Sequence, residues 1–376
     1  MSNPLRAFLH SSRARLIAAH QSSSPISIVL GNESADLDSL TSSLLYAYLH
    51  PHHPVPFLQI PRSDISLRPD FTHLLQHLSL SPLDLLCSDD EPSFLSFPAE
   101  DVSVHLVDHN KLTVSGLRDD KVVSIIDHHD DEGCHLGASP RIIQKSGSCS
   151  SLVITELCKT APPPKEVAEL GMASILVDTS NLTKRMEPTD HQAVETLSPL
   201  LPDTFDRDSF YASLQSAKQD VDSLSLRDLL RKDYKEWVEP NGKRIGISSV
   251  VKGLGHLEGK MVGTCEEGGE QDAFLATVKE WARERRLDVM VVMTAETKDD
   301  GKFGREVLLW AGREGGFVNR VKERGEELGL KQWGEGRLDQ EGKRYAWRQE
   351  KTEMSRKQVA PFLRECLREV GEEAKA

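Results

Sequence analysis

Acidic and histidine side chains gather at four places in the first half of the chain. Gly31-Asn32-Glu33-Ser34-Ala35-Asp36-Leu37-Asp38-Ser39 carries Asp36 and Asp38 two positions apart. Val107-Asp108-His109-Asn110, Ile126-Asp127-His128-His129-Asp130-Asp131 and Val177-Asp178-Thr179-Ser180-Asn181-Leu182 are the other three. Neighbouring carboxylates repel unless a cation joins them. Oxygen ligands mixed with imidazole nitrogen suit Mn²⁺, Mg²⁺ or Co²⁺ better than a thiolate site would. Each cluster also has a plainer reading. Asp at a loop-to-helix junction caps the helix, and for Asp36 and Asp38 taken alone capping is the better account. One Asp after an apolar run commonly just starts a turn. Four in order, two with adjacent His, make accident a poor explanation.

The elements that must position these groups can be read from periodicity. Ile26–Leu30 is short, apolar and β-prone, and it runs into Gly31. Leu37, Leu40, Leu44, Leu45 and Tyr48 then follow helical spacing. Strands are expected over 55–60, 102–107 and 122–126, and helices over 148–158 and 167–176. Strands alternating with helices predict a parallel sheet flanked by helices, with ligands beyond the carboxyl ends of its strands. The Ser-, Pro- and Asp-rich stretch 79–100 reads as a surface insertion. After Pro199 the character changes. Residues 205–230 are charged and helical, and a strand is expected over 245–251. Runs 287–293 and 306–310 flank Asp300-Gly301 as a hairpin. A charged helix over 318–328, a strand over 344–347 and a helix over 358–370 complete the second half. The fold class is therefore α/β in two domains, 1–204 and 205–376.

Composition narrows the function. A length of 376 residues favours two domains over one. No run of about 18 uncharged apolar residues exists, so no membrane span is expected. The net charge of −13 argues against nucleic acid or an anionic membrane as partner. Cys87, Cys134, Cys149, Cys158, Cys265 and Cys366 show no C-x-x-C spacing, which reads as reduced thiols in the cytoplasm. The first 32 residues contain Arg6, Arg13 and Arg15 and no acid. They read either as a mitochondrial transit segment or, preferably, as an amphipathic helix built on Leu5, Phe8, Leu9, Leu16 and Ile17.

Taken together, GNESADLDS, VDHN, IDHHDD and VDTSNL resemble the four motifs of the DHH phosphoesterase superfamily. The similarity is strongest to the subgroup with a DHHA2 second domain: fungal exopolyphosphatases, prune-type proteins and family II inorganic pyrophosphatases. Ala217-Lys218-Gln219-Asp220 resembles a lysine-bearing helix early in that domain, and Ser355-Arg356-Lys357-Gln358 its terminal signature. Thr189 and Asp190 also fall where the family places such residues. The resemblance implies a parallel-sheet DHH domain, a smaller α/β DHHA2 domain and an active site in the cleft between them. It implies two divalent metal ions. Asp36 would hold one and Asp38 the other, joined there by His128 and Asp178, and Asp108 would bridge both. Asp127 would orient His128, and His129 would face a phosphate. Ser355, Lys218, Arg356 and Lys357 would serve substrate binding, the three cations reaching phosphate oxygens. Pyrophosphatases of this family begin the first motif with His where this chain has Asn32. That departure tilts the reading toward an exopolyphosphatase, a monomer that releases orthophosphate from inorganic polyphosphate.

The implied chemistry needs these residue types. Polyphosphate carries about one negative charge per internal unit, which repels a nucleophile. Two divalent ions roughly 3.5–4 Å apart activate water and neutralise the phosphate under attack. Rival readings are a pyrophosphatase, a prune-like hydrolase of short polyphosphates or cyclic nucleotides, and a weakly catalytic scaffold acting through partners. The full ligand set weighs against the scaffold. Weaker features have plain accounts. His50, His52 and His53 read as a solvated turn, and His256 with Lys252 and Lys260 as a flexible Gly-rich turn. Ser148 after Gly147 reads as an N-cap or a phosphate loop, and Lys279–Arg286 as a solvated helix face. Lys184 and Arg185 could touch substrate.

Overall fold

In the computed structural model, residues 3–159, 162–222, 224–260, 270–297, 301–312 and 315–373 are described; Cys265 and Asp300 lie outside them. Apolar β-prone runs give β1 (Ile26–Leu30), β2 (Val55–Phe57), β3 (Val102–Val107), β4 (Val122–Asp127) and β5 (Arg141–Ile143). They form one parallel sheet in the order β2-β1-β3-β4-β5. Strands β1 to β4 are largely buried on both faces, as parallel strands covered by crossover helices are, and the edge strand β5 is half-buried. The helices of this unit are α1 (Pro4–Gln21), α2 (Leu37–Leu49), α3 (Pro69–His77), α4 (Cys149–Leu157), α5 (Lys165–Asp178), α6 (Pro188–Leu197) and α7 (Arg207–Gln219). The expected amphipathic first helix is α1: Leu5, Leu9 and Leu16 are buried, while Ile17 on its outer side is exposed.

One expectation needs correction. The stretch 79–100 is not a surface appendage. Its Ser residues cap short 3₁₀ turns, while Leu85, Leu86, Cys87, Phe94 and Phe97 are buried. Phe94 meets Phe57 edge-on at 4.9 Å, and Cys87 bridges Leu58 beyond the end of β2. The apolar residues extend the core at the sheet edge, and the polar ones turn the chain. The first compact unit runs to Asp220. Helix α7 belongs to it because Phe210 and Leu214 are buried in the cluster formed by α3 and α5.

The second unit, Val221–Ala376, is built on a mixed sheet. Its strands are β6 (Tyr234–Val238), β7 (Arg244–Val250), β8 (Val289–Thr294), β9 (Glu296–Thr297), β10 (Phe303–Ala311), β11 (Leu330–Gln332) and β12 (Arg344–Gln349). The order is β11-β12-β10-β8-β7-β6, with β9 paired to β10. Among these pairs β7–β8 is parallel and the rest are antiparallel. Strands β8 and β10 are the expected hairpin arms. Helices α8 (Leu226–Lys232), α9 (Leu254–Gly259), α10 (Glu270–Glu284), α11 (Gly315–Glu323) and α12 (Arg356–Glu373) complete the unit. Among the described residues, no helix is long and apolar enough to cross a membrane.

Candidate active site

Three of the four acidic clusters are brought together by strand order. Strands β1, β3 and β4 are sheet neighbours, so the loops leaving their carboxyl ends must meet. Gly31 ends β1 where helix α2 doubles back: a Cβ there would lie 2.3 Å from Ser39 Oγ. Asn32 follows, buried, and its amide is fully committed. Its Oδ1 accepts from the backbone amides of Ser34 (2.9 Å) and Ala35 (3.1 Å), and its Nδ2 donates to Asp108 Oδ2 at 2.7 Å. Asn32 thus positions Asp108 rather than offering its own oxygen as a ligand. Arg68, also buried, donates to the Ser34 carbonyl at 2.6 Å and the Ala35 carbonyl at 2.7 Å from outside the loop.

Asp36 is the N-cap of α2 and accepts from Ser39 N at 3.1 Å, so the capping account holds for it. Asp38, in the first turn of α2, is buried against the start of α4. Its Oδ1 accepts from Ser148 Oγ (2.6 Å) and Ser150 N (3.2 Å), its Oδ2 from Cys149 N (2.7 Å). A helix N-terminus favours such a carboxylate. Ser148 is the N-cap of α4, as one of its two expected readings had it.

Asp108, His128 and His129 meet closely: one ligand atom from each lies within 4.8 Å of the others. His128 Nε2 is 3.3 Å from Asp108 Oδ1 and 3.9 Å from Asp38 Oδ2. His129 Nδ1 is 3.7 Å from Asp108 Oδ1. Asp127, expected to orient His128, meets it through the His128 backbone N–H at 2.7 Å, while the ring it pairs with is that of His129. Asp127 Oδ1 pairs with His129 Nδ1 at 2.8 Å, and its Oδ2 accepts from Asn110 Nδ2 at 2.6 Å. The ring of His128 is instead oriented by the Ser146 carbonyl, 3.0 Å from its Nδ1. That contact leaves Nε2 of His128 to face the carboxylates, which is the arrangement a ligating imidazole needs.

Electrostatics mark the same cluster. Burial pushes the Asp108 carboxyl up to about 8; the charges of Asp38 and Asp36 add to this and His128 opposes it. Burial also pushes Asp178, at the C-terminus of α5, well above the carboxylate range, with Asp38 and Asp36 adding and Lys218 and His128 opposing. Burial works against ionisation of Asp127 too, yet the His129 ring, the Asn110 amide and the His129 backbone outweigh it and hold that carboxyl well below the usual range. Asp108 Oδ1 is buried without a hydrogen-bond donor. A divalent cation satisfies that oxygen and relieves the repulsion among the carboxylates, so the residues present fit such an ion.

The remaining expected residues belong to both units. Lys218 lies at the end of α7, in the first unit, where its charge is felt by Asp178. In the second unit Ser355 caps α12: its Oγ accepts from Lys357 N at 3.4 Å, and its own N–H donates to Gln358 Oε1 at 3.0 Å. Arg356 is paired with Asp233 Oδ1 at 2.6 Å, and Lys357 is exposed. Lys184 and Arg185 are exposed, and Lys260 donates to the carbonyls of Val221 and Asp222 rather than lining an anion path. Two positioning groups escaped the sequence reading. A backbone carbonyl such as Ser146 O carries no side-chain signature. Arg68 is a lone Arg that only tertiary structure connects to the first motif.

Comparison with known proteins gives the class. Residues 27–175 match the DHH family, N-terminal domain, and residues 212–366 match the DHHA2 domain. The chain is 34% identical to a Schizosaccharomyces pombe protein provisionally named an exopolyphosphatase, over 95% of each chain. It is 29% identical to human exopolyphosphatase PRUNE1, over 93% of this chain and 77% of that one. It is 26% identical to a manganese-dependent inorganic pyrophosphatase of Methanothrix thermoacetophila, over 71% of this chain and 80% of that one. Among solved structures, a provisionally assigned family II inorganic pyrophosphatase of Methanococcus jannaschii superposes with a TM-score of 0.60 at 21% identity, covering 91% of this chain and 99% of that one. The chain belongs to the DHH family of phosphohydrolases and carries a DHHA2 second domain.

Proposed function

We propose that this enzyme is an exopolyphosphatase that hydrolyses the terminal phosphoanhydride of inorganic polyphosphate and releases orthophosphate. The observation that carries the reading is the commitment of Asn32. Both ends of its amide are spent on Asp108 and the Ser34–Ala35 loop, so the first motif contributes no nitrogen ligand where the pyrophosphatase pattern has His. The names of the relatives support the same class of substrate.

Asp38, Asp108, His128 and Asp178 would hold divalent cations, with Asp36 at the rim. When bound, such ions neutralise phosphate oxygens and lower the pKa of water. The chain's own groups do the rest. The Ser146 carbonyl keeps His128 in one tautomer. Asp127, held ionised, fixes the orientation of the His129 ring, whose partly exposed imidazole would face a phosphate oxygen. Lys218, at the end of α7 and felt by Asp178, would add positive charge for the phosphates.

The test is orthophosphate release from long-chain polyphosphate with Mg²⁺, Mn²⁺ or EDTA, beside pyrophosphate and cyclic AMP. Metal-dependent release with steady chain shortening is expected. Rapid cleavage of pyrophosphate or the cyclic nucleotide, with polyphosphate untouched, would replace this reading by a rival phosphohydrolase.

A further inference from the structure

The loop Ser146-Gly147-Ser148 performs two tasks in the site. Its first residue offers the carbonyl that orients His128, and its last donates to Asp38 and starts α4. A loop does not hold such a position by itself. What holds it is Asp190, a residue with 0% exposure in the first turn of α6.

Both of its carboxylate oxygens take part. Oδ1 accepts from Ser146 Oγ at 2.9 Å, Ser148 N at 3.3 Å and Ser151 Oγ at 2.6 Å. Oδ2 accepts from Gly147 N at 2.8 Å and Glu187 N at 2.7 Å. Three of the five donors belong to the loop itself. One carboxylate therefore sets the loop carrying the His128 orienter and the Asp38 donor. Gly147 shows the same tightness independently. A Cβ there would lie 2.5 Å from Thr179 Cγ2, 2.8 Å from the Arg185 carbonyl and 2.9 Å from Asp190 Oδ2. The loop is pressed onto the chain that follows Asp178, with no room for a methyl group.

We infer that Asp190 is a positioning residue for the metal centre: through the Ser146–Ser148 loop it sets the aim of His128 and Asp38, and so the affinity of the site for divalent cations. The inference rests on the metal-site reading above. Asn at 190 keeps the volume but cannot accept on both sides, so the loop would relax and His128 would lose its fixed tautomer. Loss of an orienting partner of this kind lowers metal affinity by about 10–100-fold.

The experiment is Mn²⁺ binding followed by electron paramagnetic resonance of free Mn²⁺, on the full chain, for wild type, Asp190→Asn, Gly147→Ala and Ser151→Ala. Thermal unfolding in EDTA is recorded for each. The expected result is a 10–100-fold loss of Mn²⁺ affinity in Asp190→Asn and Gly147→Ala, recovery of turnover at saturating Mn²⁺, and a near wild-type affinity in Ser151→Ala, which leaves the loop donors intact. Asp190→Asn that melts lower in EDTA but binds Mn²⁺ as wild type does would reduce Asp190 to a structural residue and overturn the inference. So would loss of affinity in Ser151→Ala equal to that in Asp190→Asn. Wild type that binds no Mn²⁺ would sink the metal-site reading instead. If Asp190→Asn fails to fold, Gly147→Ala decides, because it leaves the carboxylate in place.

Discussion

At the scale of single residues, the site is a problem of buried negative charge. Asp108 and Asp178 are both pushed upward by burial and by the charges of Asp38 and Asp36. Removing Asp178 would take away one wall of the proposed cation site while leaving the hydrogen bond from Asn32 to Asp108 in place. Asp178→Ala is expected to lose turnover on the order of 10³-fold, the scale of losing one preorganised electrostatic group at a reacting centre. Steady-state phosphate release checks this, and wild-type turnover in the variant would refute the assignment. The types of these residues were legible because carboxylates and imidazoles at strand ends have few other uses in combination. Their pairings were not. His128 and His129 are adjacent and chemically identical, and nothing in the order of residues tells which ring takes Asp127 and which takes a carbonyl. That choice is made by the direction in which β4 releases the chain, and by the 18-residue separation that brings Ser146 O to His128 Nδ1.

At the scale of elements, α1 shows how a distant segment is secured. Asp84, on a 3₁₀ turn of the 79–100 stretch, sits 2.7 Å from His10 Nε2 and 3.5 Å from Arg6 Nε, and it closes a capping box on Ser81 N at 2.8 Å. Burial opposes its ionisation, but the Ser81 amide, the His10 ring and the Arg6 guanidinium outweigh burial and lower its pKa. A carboxyl depressed in the folded state stabilises above its unfolded value of about 3.9, and that contribution is lost as pH falls through the folded value. Asp84→Asn should therefore cost about 1–2 kcal/mol at pH 7 and progressively less below about pH 4. Urea unfolding at both pH values measures it; a deficit unchanged at pH 3 would exclude the ionic contribution. The helical spacing of α1 was legible from Leu5, Leu9 and Leu16. Its fastening was not, because Asp84 lies 74 residues from His10 and stands in a stretch whose Ser and Pro content suggests solvent.

At the scale of the whole molecule, a net charge of −13 and a cluster of buried carboxylates should make stability depend on cations. Mn²⁺ at 100 times its dissociation constant should add about 2.7 kcal/mol to the folded state. A rise in unfolding temperature with Mn²⁺, reversed by EDTA and missing in Asp108→Asn, is the expected result. The same melting temperature with and without the ion would exclude a site on the native state. The two-domain α/β plan was legible from the change of character after Pro199. The end of the first unit was not: α7 reads as a charged helix, and only the burial of Phe210 and Leu214 assigns it to the earlier unit.

Asp108 adopts a left-handed backbone, φ 61°, as it leaves β3. Asp tolerates that region better than most side chains, but glycine holds it without penalty. Glycine would also remove a buried carboxyl that repels its neighbours. On backbone preference and charge repulsion alone, position 108 is thus occupied by an unfavourable residue. Backbone strain and charge repulsion at position 108 stand against one hydrogen bond from Asn32, a balance that a bound cation would tip toward Asp.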